Sequence, residues 1–127
     1  FFEKQKKGHI AFNISISSYF GLPYSGGYSA PKAALLNFCE SIRPELTLKN
    51  IKLQVINHGF VRTGLPENDD LEMSQLLEPE EAAHKIIEGL TNSNAFEIKF
   101  PWALSKFLHF LRIIPYSIAF LITKKIL

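Results

Sequence analysis

Cysteine is nearly absent from this 127-residue sequence, since Cys39 is the only one. A single cysteine forms no internal disulfide and no cysteine-based metal site, and we expect a reducing compartment such as the cytoplasm. An excess of charge is also missing, because 14 Lys and Arg residues nearly balance 12 Asp and Glu residues. The net charge of +2 is too small to indicate a nucleic-acid partner. The four histidines lack metal-ligand spacing, so no metal site is expected.

A long uninterrupted apolar run is missing as well. The most apolar segment, 102–127, is broken by charged residues and by Pro115. A membrane-spanning helix needs about 20 mainly apolar residues. Apolar residues still make up 46% of the chain and charged residues 20%, the balance of a globular protein with a core.

Strand and helix patterns alternate along the chain. Strands are predicted at 8–15, 51–57 and 95–100, and helices at about 27–48, from Pro79 onward, and through the tail with a break at Pro115. Pro44 should kink the first helix or end it early, whereas Pro31 is tolerated if it lies in the first turn. The alternation predicts an α/β fold with a parallel sheet. We expect two units, 1–101 and the apolar helical extension 102–127.

Three strands alone are few for such a sheet, and one side would be left as an open edge. Missing strands are the natural explanation, so we expect a doubly wound sheet of which this chain holds only part. Residues 64–78 are expected to form a mobile loop with some helix, because they carry Pro66, Asn68, Asp69 and Asp70.

Three side chains are candidates for proton-transfer chemistry. Tyr28 and Lys32 lie four residues apart at the start of the first helix, which places them on one face, one turn apart. A phenol is a poor base at neutral pH, but a nearby ammonium stabilises the phenolate. Ser15 ends the preceding strand, and a glycine-rich loop connects it to Tyr28. Its hydroxyl is predicted to hydrogen-bond a substrate oxygen beside the tyrosine.

These motifs resemble the short-chain dehydrogenase/reductase family. GHIAFNIS at 8–15 resembles its central strand, YSAPKAAL at 28–35 its active-site helix, and VINHGFVRT at 55–63 the segment after the next strand. The resemblance implies a Rossmann-like fold and hydride transfer between NAD or NADP and a small carbonyl or alcohol substrate. It also implies that Tyr28 is the acid/base and that Ser15 orients the substrate, with Ser17 and Ser18 as nearby alternatives.

The resemblance implies a cofactor site too. Lys32 would stabilise the phenolate and hold the nicotinamide ribose beside Tyr28. Gly59, Phe60 and Val61 would lie against the nicotinamide, and Thr63 would bond its carboxamide or the phosphates. His58 stands where the family usually has proline, which should loosen the turn.

The family's glycine-rich phosphate-binding turn has no counterpart in residues 1–127. We therefore expect this chain to be the C-terminal, catalytic half of a longer enzyme and, alone, to bind cofactor poorly and turn over little.

Two interpretations of the tail 102–127 stay open. It covers the substrate pocket or a subunit contact, as the resemblance of Phe100, Pro101, Trp102 and Pro115 to the extension of some bacterial members suggests, or it contacts a membrane surface as an amphipathic helix. The alternative function is accordingly a non-catalytic membrane-surface or subunit-interaction module. A homo-oligomer formed through the helix of Tyr28 is a further expectation, taken from the family.

Overall fold

Three parallel strands with helices after each of them form the architecture of the chain. The computed structural model describes residues 1–62 and 76–126. Most of the loop predicted at 64–78, and Thr63 with it, lies outside the described residues. The elements in chain order are α1 (Phe2–Gln5), β1 (Gly8–Asn13), α2 (Gly26–Leu48), β2 (Ile51–His58), α3 (Pro79–Asn92), β3 (Glu97–Phe100), α4 (Trp102–Ile113) and α5 (Tyr116–Thr123), with 3-10 turns at Ile16–Ser18 and Lys124–Ile126.

The sheet has the order β1-β2-β3, and both pairings are parallel. Ile10 pairs with Leu53, and Val55 pairs with Glu97. The central strand is buried along most of its length, as expected for a strand that is covered on both faces. The predicted α/β fold with a parallel sheet is confirmed.

Helix α2 runs unbroken through Pro44, so the expectation that this proline ends the helix early is wrong. Pro31 lies in the second turn rather than the first. Each proline removes one backbone donor, but Leu36 and Cys39, which lie between them, are buried in the core. Ile42 and Leu46 pack against the same core on either side of Pro44. These contacts hold the helix together across both positions.

The apolar tail is helical, and its two helices meet at Ile114 and Pro115 as the sequence predicts. Leu108 and Leu111 of α4 and Ala119 of α5 are buried in one cluster with Ile14 and Val55. The tail thus completes the core that covers one face of the sheet. Within the described ranges, no helix combines the length and the apolar character that crossing a bilayer requires.

Candidate active site

The carboxyl ends of β1 and β2 lie side by side, because the two strands are parallel neighbours. Ile14 extends the pairing by donating its N–H to the Ile56 carbonyl (2.8 Å), and Ser15 follows immediately. Gly59 and Phe60 follow β2 at the same edge of the sheet. The predicted strand 8–15 therefore ends two residues early, and Ser15 becomes the extended cap of the 3-10 turn Ile16–Ser18.

Ser15 is buried and its hydroxyl oxygen accepts two hydrogen bonds from one residue. The Ser17 N–H donates at 3.3 Å and the Ser17 hydroxyl at 3.1 Å. A serine hydroxyl has two acceptor lone pairs and a single proton. Both acceptor positions of Ser15 are thus engaged, and its own proton is left to donate to another oxygen.

Tyr28 lies in the first turn of α2, where its N–H donates to the Ser25 carbonyl (3.0 Å). Its side chain is 53% exposed. The Lys32 ammonium lies over the same ring, 5.7 Å from the centroid. The two side chains share one face of the helix, as their spacing predicts.

A cavity of about 360 Å³ brings Ser15 and Tyr28 together. Its wall is mostly apolar and consists of Ser15, Ile16, Ser17, Leu22, Ser25, Tyr28, Gly59, Phe60, Leu104 and Leu108. Of the two alternatives to Ser15, Ser17 lines this cavity and Ser18 does not. Neither Lys32 nor Val61 forms part of the wall. A larger, open groove of about 600 Å³ between α3 and β3 contains none of the predicted site residues.

Gly59 lets the end of β2 approach the start of α4. Its N–H donates to the Phe100 carbonyl (2.7 Å), and a Cβ added here would lie 2.6 Å from Pro101 Cδ. Next to it, Phe60 is half exposed, and Val61 pairs with Leu77. His58, which stands in the family's proline position, places Nδ1 2.7 Å from the Gly59 carbonyl oxygen.

Leu104 and Leu108, which line the cavity, were not predicted as site residues. The sequence shows them only as members of an apolar helix, and nothing in the periodicity separates residues that line a cavity from residues that fill a core. Their place follows from the packing of α4 beneath the 3-10 turn at Ile16–Ser18.

A polar cluster around Glu97 was also not predicted from the sequence. The Glu97 carboxylate accepts hydrogen bonds from the Tyr19 hydroxyl, from Asn57 Nδ2 (2.6 Å) and from Lys99 Nζ (2.9 Å). Burial opposes ionisation of Glu97, but these three donors outweigh it and lower the pKa of the carboxyl. Burial, followed by the bond to Glu97, raises the pKa of the Tyr19 hydroxyl. The cluster joins the segment after Ser15 to β2 and β3.

Comparison with known proteins assigns the family. The model of a family described as short chain dehydrogenase matches residues 1–74, more than half of the chain. The chain belongs to the short-chain dehydrogenase family. The family assignment confirms the resemblance seen in the motifs, and these proteins are oxidoreductases.

Relatives of this short-chain dehydrogenase are bacterial and eukaryotic. An uncharacterised oxidoreductase of Myxococcus xanthus is 30% identical over 112 residues, 88% of this chain and 44% of that protein. A short-chain dehydrogenase of Burkholderia cenocepacia, solved in complex with NADP, is 25% identical with a TM-score of 0.69, over 83% of this chain and 44% of that one. The structure of a short-chain dehydrogenase from Streptomyces avermitilis is 19% identical, with a TM-score of 0.72, and the match covers 98% of this chain and 53% of that one. At this identity it supports the fold alone. The 127 residues thus span about half the length of these relatives.

Proposed function

We propose that this short-chain dehydrogenase contributes the catalytic cavity of an enzyme that transfers hydride between NAD or NADP and a small carbonyl or alcohol compound. The observation that carries the proposal is the cavity itself, whose wall includes both Ser15 and Tyr28. One hydroxyl that positions an oxygen and a second that exchanges a proton with it are what carbonyl reduction requires from the protein.

The proton chemistry follows from the hydrogen bonds of Ser15. Because Ser17 engages both acceptor positions, the Ser15 proton is directed away from Ser17 and can donate to the substrate oxygen. Tyr28 then gives its hydroxyl proton to that oxygen during reduction, or receives it during oxidation. The Lys32 ammonium next to the ring stabilises the phenolate that is left. We assign Ser15, Tyr28 and Lys32 these three roles.

The residues at the cavity edge fit a nicotinamide cofactor. Phe60 presents a half-exposed aromatic surface at the cavity wall, and we propose that this ring and the Gly59 backbone lie against the nicotinamide. Lys32 offers donors for ribose hydroxyls, and we propose Val61 and Thr63 as further contacts. When bound, the cofactor supplies or accepts the hydride.

The cavity wall indicates the class of substrate. Its volume of about 360 Å³ lies at the small end of ligand pockets, which begin at roughly 300 Å³. The leucine side chains that line it, Leu22, Leu104 and Leu108, leave few polar partners apart from the hydroxyls. We propose a small, largely apolar aldehyde, ketone or alcohol.

A tyrosine substitution tests the reaction. Oxidation of NADH and NADPH by the protein is followed with a panel of apolar aldehydes and ketones. Tyr28→Phe should lower kcat/KM by about 10²–10⁴-fold, the usual contribution of a general acid. Tyr24→Phe is the matched control, because Tyr24 is 94% exposed and lies outside the cavity wall. Full activity in Tyr28→Phe would overturn the assignment of Tyr28.

A titration separates binding from turnover. NADPH fluorescence is followed on adding residues 1–127 alone and on adding the protein in its native length. We propose that residues 1–127 are part of a longer polypeptide, and we expect weak cofactor binding by these residues alone and tight binding by that polypeptide. Lys32→Met should weaken the binding, whereas Lys85→Met, a change on α3, should not. Equal, tight binding by residues 1–127 would show that this chain holds the cofactor unaided.

A further inference from the structure

The outer sides of the last two helices expose large apolar side chains. Trp102 is 65% exposed and Ile113 78%, values far from those of a packed core. We call this surface the outer face and define it by Trp102, Phe107, Phe110 and Ile113 of α4 together with Tyr116, Phe120 and Leu121 of α5. On α4, Trp102, Lys106, Phe110 and Ile113 recur at spacings of four and three, so they form one stripe along the helix.

The charge of this segment has one sign. Residues 102–127 contain Lys106, Arg112, Lys124 and Lys125 but no Asp or Glu, a charge of +4. Since the whole chain carries +2, residues 1–101 carry −2. The Lys106 ammonium lies 3.9 Å from the centroid of the Trp102 ring, so a positive charge stands directly on the apolar stripe. The partner of such a surface must accept aromatic side chains and cations together.

A bilayer surface with anionic lipids meets both conditions. Tryptophan and tyrosine favour the depth of the lipid headgroups, and basic side chains beside them pair with lipid phosphates. Within residues 1–62 and 76–126 no helix is suited to crossing the bilayer, so the contact is with its surface. We propose that the outer face of α4 and α5 docks this protein on anionic membranes, with the helices lying in the headgroup layer.

Docking by the outer face leaves the catalytic cavity intact. The opposite side of α4 presents Leu104 and Leu108 to the cavity and Leu111 to the core. One helix therefore separates the proposed membrane surface from the cavity. An apolar substrate dissolved in the bilayer would be within one helix diameter, about 10 Å, of the catalytic hydroxyls.

Vesicle binding tests the proposal through the single tryptophan. The 127-residue chain is mixed with vesicles of phosphatidylcholine alone or of phosphatidylcholine and phosphatidylglycerol in equal parts. Sedimentation of the chain and the emission spectrum of Trp102 are both measured. We expect sedimentation and a blue shift with the mixed vesicles, and a loss of both with added salt. Failure to bind mixed vesicles would overturn the proposal and leave the oxidoreductase function untouched.

Paired variants identify the surface that binds. Lys124→Gln with Lys125→Gln should weaken binding by about 25-fold, since each basic residue contributes roughly fivefold. Lys4→Gln with Lys7→Gln removes the same charge from the other end of the chain and should change little. An equal loss of vesicle binding in both pairs would mean that positive charge anywhere on the chain drives the binding, and this result would contradict the proposal.

Apolar variants complete the test. Phe110→Ser with Phe120→Ser should weaken vesicle binding at least about tenfold, because these side chains enter the headgroup layer. Leu48→Ser with Ile87→Ser, exposed on α2 and α3, is the matched control. Light scattering in the absence of lipid decides against a second copy as the occupant. A dimer that Phe110→Ser with Phe120→Ser dissociates would overturn the membrane proposal.

Discussion

The Glu97 carboxylate accepts hydrogen bonds from three side chains in different parts of the chain. The donors are Tyr19, next to the Ser15 turn, Asn57 on β2 and Lys99 on β3. A carboxylate that holds several donors contributes to folding only while it is ionised. Its lowered pKa means that the contribution is complete above the ordinary value of 4.5 and is lost as the pH falls through the lower folded-state value.

Glu97→Gln should therefore destabilise the protein by about 1–3 kcal/mol at neutral pH, because a charged acceptor becomes a neutral one. Because glutamine does not titrate, the free energy of unfolding of the variant should fall less than that of wild type when the pH is lowered. Urea unfolding at pH 7 and at a series of pH values stepped down from 4.5 measures both effects. Glu88→Gln on the exposed side of α3 is the control, and an acid dependence equal to wild type in Glu97→Gln would contradict the assignment.

The two serines of the cavity should differ in their effect on activity. Ser15→Ala removes the donor proposed for the substrate oxygen and should lower kcat/KM by about 10²-fold or more. Ser17→Ala removes one of the two bonds that orient Ser15 and should cost less. Steady-state kinetics compares both variants with the unchanged protein. A larger loss in Ser17→Ala would identify Ser17 as the donor.

At the scale of elements, the contact between β2 and α4 depends on Gly59. Gly59→Ala would place a methyl group 2.6 Å from the Pro101 ring, so the start of α4 must shift, at a cost of about 1–3 kcal/mol. Gly27→Ala is the matched control, because a Cβ there meets nothing within 4 Å and alanine favours the helix. In thermal unfolding, the melting temperature should fall in Gly59→Ala and rise in Gly27→Ala. Equal melting temperatures would show that the contact is not tight.

The order of elements and the three catalytic candidates could be predicted from local patterns. Alternation in β1, the helical spacing of Tyr28 and Lys32 and the break at Pro115 are all properties of neighbouring residues. The course of α2 through Pro44 could not be predicted, because the core contacts that outweigh one lost backbone bond come from distant segments. The same limit explains why Glu97 and Leu104 were missed, since Tyr19 and Asn57, which bond Glu97, and the cavity wall opposite Leu104 are far away in the sequence. The site roles of all the predicted residues stay predictions: Ser15, Tyr28, Lys32, Gly59, Phe60, Val61 and Thr63.

At the scale of the whole molecule, the tail and the sheet share one core. Leu108, Leu111 and Ala119 are as buried as Ile14 and Val55. We expect chemical denaturation followed by Trp102 fluorescence, which reports on α4, to coincide with far-ultraviolet circular dichroism, which reports on all elements. Leu111→Ala should move both curves together, by about 2–5 kcal/mol. An earlier transition of the Trp102 signal would show that 102–127 unfolds as a separate unit.

Leu104 and Leu108 are positions at which the shape of the cavity could be changed by substitution. Both line the cavity from a helix that carries none of the residues proposed for proton transfer or for the cofactor. A combinatorial library confined to these two positions would enlarge or narrow the space for substrate while the chemistry stays constant. We therefore expect substitutions at Leu104 and Leu108 to change which compounds fit the cavity while Ser15, Tyr28 and Lys32 stay unchanged.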